Sequence, residues 1–228
     1  MLCVFDVNET LLDLAGLDDL FGSVTGHPDA RREWFALMIH NALALTAAGA
    51  YRPFGEIAAA CLPPIAERYG RTATADDQRE LGLRMRRLPA HPDVPDALRR
   101  LREAGHRVVT LTNSVGDVAE DQLRNSGLRE LVDAVYSADR AGRLKPAPEP
   151  YRLVLEDQSV APSDAVLIAA HGWDITGAHH AGLRTAFVSR DGGTPLPADA
   201  APTISGPDLG TVATHLIAQG QGRRPVTG

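Results

Sequence analysis

One short apolar run at the start of the chain, Leu2-Cys3-Val4-Phe5, ends in a carboxylate at Asp6, and the next clear strand begins only at His106. A continuous apolar run of this length reads as a strand buried on both faces, and such a strand needs parallel neighbours. Those neighbours lie in the second half of the chain. Val94 to Ala104 reads as a helix closed by Gly105, His106 to Thr112 as a strand, and Val115 to Ser126 as a helix closed by Gly127. Strand Ala134–Ser137, helix Pro148–Gln158 and strand Ala165–Ala170 follow. Helix Asp174–Ala181 is closed by Gly182, and strand Arg184–Ser189, Thr203-Ile204-Ser205 and helix Asp208–Ala218 complete the series. Alternation of this kind predicts an α/β fold, a doubly wound parallel sheet with helices on both faces.

The stretch that separates the first strand from the others has a helical rhythm. Pro28 opens a long segment, Ala30 to Leu45. Phe54 to Tyr69 is a second, which Pro63-Pro64 should kink or split, and Thr74 caps a third with Asp76 and Asp77 in its first turn. The expected organisation is an α/β core of residues 1–13 and 90–218, an inserted α-helical cap of residues 14–89, and a polar, disordered tail at 219–228. No internal repeat is visible.

Bulk properties exclude several classes. A chain of 228 residues is long enough for one large domain or a core with a smaller insertion, and 44% hydrophobic with 23% charged residues is ordinary for a soluble globular protein. A net charge of -6 without a basic stripe argues against nucleic acid. Arg99, Arg100 and Arg102 share their helix with Asp96 and Glu103 and read as a solvated face. No run approaches the roughly 18 apolar residues of a membrane span, and no export signal precedes the first strand. Cys3 and Cys61 are too few for a disulfide framework or a metal knuckle. The expectation is a cytoplasmic protein.

In open parallel sheets ligands sit at the carboxyl ends of strands, near the point where strand order reverses. Here each such end turns polar. The first strand runs into Asp6-Val7-Asn8-Glu9-Thr10 and the second into Thr112-Asn113-Ser114. The loop after the third carries Lys145-Pro146, and the fourth ends in Ala170-His171-Gly172-Trp173-Asp174. Lys145 is the one lysine in a chain whose Lys and Arg total 23. Codon preference accounts for that, and so does a site that needs a compact ammonium rather than a flat guanidinium fork.

These four segments, in this order and with a helical insertion after the first, resemble the motifs of the haloacid dehalogenase superfamily over residues 2–218. Asp6, with Thr10 four residues on, is similar to the opening motif with its aspartate nucleophile. Thr112-Asn113, Lys145-Pro146 and Trp173-Asp174 are similar to the other three. Phosphatases of the superfamily carry a second Asp two residues after the nucleophile and a metal-facing Asp four residues before the last. This chain has Asn8 and Ala170 there, and Asn cannot shuttle a proton at neutral pH.

The closer resemblance is to the type II 2-haloacid dehalogenases. It implies metal-independent hydrolytic dehalogenation of small 2-haloalkanoic acids through an ester on Asp6, giving 2-hydroxy acids with inversion, with no cofactor. The partners implied are a small anionic substrate and the halide product. Lys145 would keep Asp6 ionised, Thr10 and Thr112 would hold its oxygens, and Asp174 would complete the site. Asn113 and the backbone N–H groups around Val7 and Asn8 would receive the substrate carboxylate. Trp173 would contact the substrate, as would Tyr151, for which plain packing is an equal reading. The alternatives are a phosphatase of the same superfamily or a non-catalytic binding protein with this fold. The apolar stretch Ala42 to Ala48 fits a homodimer contact or burial within the cap.

Departures from the family pattern cluster around two positions. Relatives place an Arg for the halide after the Trp of the first long cap helix; here the pair is Trp34-Phe35. Arg31 and Arg32 lie a turn earlier and are expected to face solvent. Halide would depart against the electropositive edge of Phe35, Asn113, and His40 or Asn41. Glu9 stands where relatives have Gly, and His171 where they have a small polar residue. If the two meet, the carboxylate orients the imidazole as a base for the water that hydrolyses the Asp6 ester. Otherwise Glu9 points to solvent and His171 caps a helix. His91 reads as a surface residue, Asp13, Asp18 and Asp19 as helix caps, and Asp191-Gly192-Gly193 as a turn.

Overall fold

The computed structural model describes residues 1–199 and 201–221. Strand β1 (Leu2–Phe5) leads into α1 (Asp18–Thr25), α2 (Ala30–Ala47), α3 (Phe54–Ala60), α4 (Leu62–Arg68) and α5 (Ala75–Met85). The alternating series follows: α6 (Val94–Glu103), β2 (Arg107–Thr112), α7 (Gly116–Asn125), β3 (Ala134–Ser137), α8 (Pro148–Gln158) and β4 (Ala165–Ala169). It closes with α9 (Gly172–His180), β5 (Arg184–Val188), β6 (Ile204–Gly206) and α10 (Leu209–Gln221).

The strands form one parallel sheet in the order β3-β2-β1-β4-β5-β6. The chain works outward from β1 to β3, then returns to place β4 on the other side of β1. The order therefore reverses between β1 and β4, where loop ends diverge and leave a crevice. Alternate residues serve opposite faces. Cys3, Phe5, Val166 and Ile168 join one cluster, and Leu2, Val4, Leu167 and Ala169 join the other with Tyr151 and Ile175.

The helical insertion is packed into the first of these clusters. Phe21, Trp34, Met38, Leu62 and Ile65 bury against the same body of side chains as Phe5 and Ile168. Trp34 satisfies its indole N–H on the Ala58 carbonyl at 2.8 Å. Pro63 and Pro64 do divide the second helical segment: α3 ends and α4 begins around Cys61, with both prolines in the first turn of α4. Thr74 and Asp77 form a reciprocal capping box at the start of α5.

Two boundaries differ from expectation. Helix α9 starts at Gly172 rather than Asp174, which puts Asp174 inside its first turn. Helix α10 continues to Gln221, so 219–221 are helical, and 222–228 of the expected tail lie outside the described residues. Among the described residues no helix is long and apolar enough to cross a membrane. Of the stretch offered to a dimer contact, Ala42 is buried within the fold while Ala44, Ala47 and Ala48 are exposed.

Candidate active site

The Asp6 N–H donates to the Ile168 carbonyl at 3.0 Å, which extends the pairing of β1 with β4 one residue beyond the strand. Its carboxylate is thereby fixed at the carboxyl edge of the sheet, beside the reversal point. Lys145 Nζ donates to Oδ1 at 2.9 Å and Thr10 Oγ1 to Oδ2 at 2.8 Å, while His171 Nδ1 lies 3.0 Å from Oδ2. Thr10 is itself held, because its hydroxyl accepts the Ala170 N–H at 3.0 Å. Burial alone would raise the Asp6 carboxyl; the Lys145 ammonium and His171 outweigh it and hold the group well below the usual carboxylate range.

Lys145 is buried, and its ammonium uses all three donors. Nζ reaches Asp6 Oδ1, the Leu111 carbonyl at 2.8 Å and Asp174 Oδ2 at 2.6 Å. These acceptors belong to the ends of β1 and β2 and to the first turn of α9, so one side chain ties together three neighbouring segments. Burial would depress the ammonium, but the two carboxylates push it above its ordinary value. Tyr151 donates to the second oxygen of Asp174 at 2.5 Å, and burial lifts the Asp174 carboxyl above its usual range despite Lys145. Helix α9 approaches this closely because residue 177 is glycine. A Cβ there would stand 2.6 Å from both Pro146 Cβ and the Tyr151 hydroxyl.

Glu9 and His171 do meet. His171 Nε2 lies 3.0 Å from Glu9 Oε2 while Nδ1 faces Asp6, so the ring bridges two carboxylates. Although His171 occupies the N-cap position of α9, its side chain makes no capping bond. Burial would lower its pKa; the hydrogen bonds to Asp6 and Glu9 win and raise it to about 9. At neutral pH the resting ring is therefore an imidazolium, with both nitrogens donating. Phe35 stacks on it at 5.4 Å between centroids, and Trp173 at 5.3 Å. Glu9 holds a left-handed backbone, φ 60°, which costs a non-glycine residue about 1 kcal/mol. Strain of that kind persists where surrounding structure over-determines it. Here His91 Nε2 sits 3.0 Å from the Glu9 carbonyl and Arg31 Nη1 3.6 Å from its carboxylate.

Several expectations need correction. Arg31 does not face solvent: it is buried, with Nε donating to Asp18 Oδ1 at 2.6 Å and the guanidinium beside Glu9. Thr112 does not hold Asp6; its hydroxyl accepts the Ser114 N–H at 3.2 Å. Asn113 accepts the Lys145 backbone N–H at 2.8 Å and donates one amide hydrogen to its carbonyl at 3.4 Å, so it also sets the lysine's position. His40 and Asn41 are exposed, and the Asn41 amide bonds to Leu37 on its own helix. His91 is half-buried behind Glu9 rather than on the surface. Asp13 caps a short turn by accepting the Ala15 N–H, as expected.

Sequence reading also passed over Gln122 and gave Ser114 no role of its own. Gln122 is buried and donates to Asn8 Oδ1 at 3.0 Å and to the Met85 carbonyl at 2.8 Å, and Asn8 in turn donates to Ser114 Oγ at 3.4 Å. These contacts anchor the loop after β1 to α7, and no spacing in the chain advertises them.

Magnesium-dependent chemistry of the superfamily requires hard oxygen ligands around an open position. This donor set does not fit. Both Asp6 oxygens and both Asp174 oxygens already accept hydrogen bonds from the groups just named, and residue 170 presents a methyl group.

A parallel α/β sheet, a helical insertion after its first strand, and a buried aspartate paired with lysine at the point of reversal mark the chain as a hydrolase of α/β fold. The chain belongs to the haloacid dehalogenase-like hydrolase family, whose model matches residues 1–182. It is 27% identical over 193 residues to (S)-2-haloacid dehalogenase 1 of Pseudomonas sp. (strain CBS-3), covering 82% of this chain and 84% of that one. It is also 30% identical over 220 residues to phosphoserine phosphatase of Thermus thermophilus, covering 89% and 88%. Among solved structures, L-2-haloacid dehalogenase from Xanthobacter autotrophicus with chloropropionic acid covalently bound superposes with a TM-score of 0.87 at 22% identity, covering 95% of this chain and 98% of that one.

Proposed function

We propose that this protein hydrolyses the carbon–halogen bond of small 2-haloalkanoic acids through an ester on Asp6, without a metal. The observation that carries the reading is the Asp6 carboxylate itself, kept anionic by a fully coordinated ammonium and faced by an imidazole that a second carboxylate orients. In the first half-reaction an Asp6 oxygen attacks C2 as the carbon–halogen electron pair leaves with the halide, inverting the carbon. With His171 on the face of Phe35, the electropositive rim of that ring remains to meet the departing anion.

Alkylation turns Asp6 into a neutral ester. His171 then loses one of the two charges that hold its pKa up, and its proton can leave. The neutral ring, its Nε2–H kept on Glu9, takes a proton from water at Nδ1 as that water adds to Asp6 Cγ. Collapse breaks the bond between Cγ and the alkyl-bearing oxygen, and the 2-hydroxy acid departs with the proton from His171. The new Asp6 carboxyl returns its proton to His171, restoring the starting ion pair. Over the cycle one halide and one proton are released for each water consumed.

Likeness to a phosphoserine phosphatase supports phosphate-ester hydrolysis as a second reading, and the donor set around Asp6 weighs against it. Incubation with 2-chloropropanoate, with and without chelator, should release halide equally in both. Asp6→Asn should release none, and His171→Ala should accumulate a covalent adduct on the Asp6 peptide. No halide from the wild type, with magnesium-dependent release of phosphate from phosphomonoesters, would overturn the proposal.

A further inference from the structure

Hydrolysis of an ester on Asp6 needs water inside a site that is otherwise walled by rings and buried charges. Phe35 and Trp173 stack on His171, and Lys145, Thr10 and Asp174 fill the space around the carboxylate. One side differs. Behind the Glu9–His171 pair lies a cleft of about 170 Å³, bordered by Glu9, Arg31, His91, Ala170, His171 and Arg190. At roughly 30 Å³ per molecule this has room for several waters.

The lining is suited to water rather than to an apolar ligand. Arg190 donates to Asp93 at 3.0 Å and to the Thr10 carbonyl at 3.2 Å, yet its Nε is buried with no protein partner. Buried donors of that kind are normally met by ordered water. The same wall touches the machinery from behind: Ala170 donates its N–H to the Thr10 hydroxyl that holds Asp6. Asp13 and Asp191, on the same lining, are carboxylates through which a proton can pass to solvent.

We propose that this cleft is the water inlet and proton outlet of the hydrolytic half-reaction, distinct from the Phe35 side of His171 toward which the halide departs. The proposal rests on the dehalogenase reading above. Water waiting beside Glu9 and Ala170 reaches Asp6 Cγ past the edge of the His171 ring once the ester has formed. The Nδ1 proton that His171 gives up on alkylation leaves in the opposite direction along the same water, while Nε2–H stays on Glu9.

Filling the cleft without touching the catalytic groups tests this. Gly193→Ser, Gly193→Val and Gly193→Leu, at a position on the cleft wall away from the Asp6 contacts, with 2-chloropropanoate in single-turnover rapid quench, separate the halide burst from decay of the adduct followed by peptide mass. The expected result is a burst within about twofold of wild type in all three, with adduct decay near normal for Ser and slowed progressively for Val and Leu, by about tenfold or more in Leu. An intact burst with wild-type decay in Leu overturns the inlet. If Leu has lost the burst through misfolding, Val decides by the same criterion. Absence of a burst in the wild type instead sinks the dehalogenase reading itself, so the two failures are told apart.

Discussion

Replacing Lys145 by arginine keeps the charge and tests whether geometry matters. The ammonium donates in three directions, to Asp6, the Leu111 carbonyl and Asp174, at 2.9, 2.8 and 2.6 Å. A guanidinium is planar and longer, so it can address two of these acceptors in its plane and leaves the third, on another segment, unmet. An unsatisfied buried acceptor costs about 1–3 kcal/mol, and forcing the larger head into a filled site costs about 1–3 kcal/mol more. For a chain of this size each kcal/mol moves the midpoint by about 2–4 °C, so Lys145→Arg should melt roughly 4–24 °C below wild type. A carboxylate displaced by about 1 Å from its line of attack loses on the order of 100-fold in rate. Thermal unfolding by circular dichroism and steady-state halide release read the two effects separately. Lys145→Met, which leaves Asp6 and Asp174 without a cation, should be inactive. An arginine variant with a midpoint within about 1 °C of wild type and a kcat within about twofold would refute the argument and leave codon preference as the account of the single lysine.

Two further outcomes follow from the other side of Asp6. His171 has its pKa raised in the folded state to about 9, so its contribution to stability is whole below about pH 6.5 and disappears as pH rises through about 9. The stability lost in His171→Gln, measured by urea unfolding, should be on the order of 3 kcal/mol greater at pH 6 than at pH 10; a difference that does not vary with pH contradicts the bridging imidazolium. Glu9→Gly relieves the left-handed backbone by about 1 kcal/mol while removing the carboxylate that orients His171. It should keep the halide burst and slow adduct decay by about 10-fold or more; unchanged decay shows that Glu9 orients nothing.

The fold was readable because hydrophobic period and turn residues agree along most of the chain, while the order of the strands came only from the folded chain. The site was readable as a set of polar strand ends: Asp6, Thr10, Lys145, His171 and Asp174 converge as their places predict. Direction was harder. Thr112 and Asn113 sit where expected, but a residue's position does not say which neighbour its hydrogen bond chooses, and both serve the backbone. Arg31 was misread on its charge, although a signal was present. Residues 31, 34, 38 and 42 are spaced as one helical stripe, and all four are buried. An arginine on an apolar stripe needs a buried anion, and Phe35, one turn on, faces the same place. Gln122 and Asn8 are 114 residues apart, and only the folded chain reveals that contact.

The position of β1 in the middle of the sheet has a consequence for how the protein comes into being. Both of its hydrogen-bonding neighbours are synthesised after it: β2 at residues 107–112 and β4 at 165–169. As the chain leaves the ribosome, β1 therefore waits about a hundred residues for β2 and more than fifty further for β4. Asp6 waits longer still, because Lys145 lies 139 residues ahead of it and His171 lies 165. An ion buried without its counter-charge is costly, so Asp6 cannot be enclosed early and neutralised late. Enclosure of β1 and completion of the charge cluster belong to one late, cooperative event, and a nascent chain stopped before α9 still lacks Asp174, the second carboxylate on Lys145.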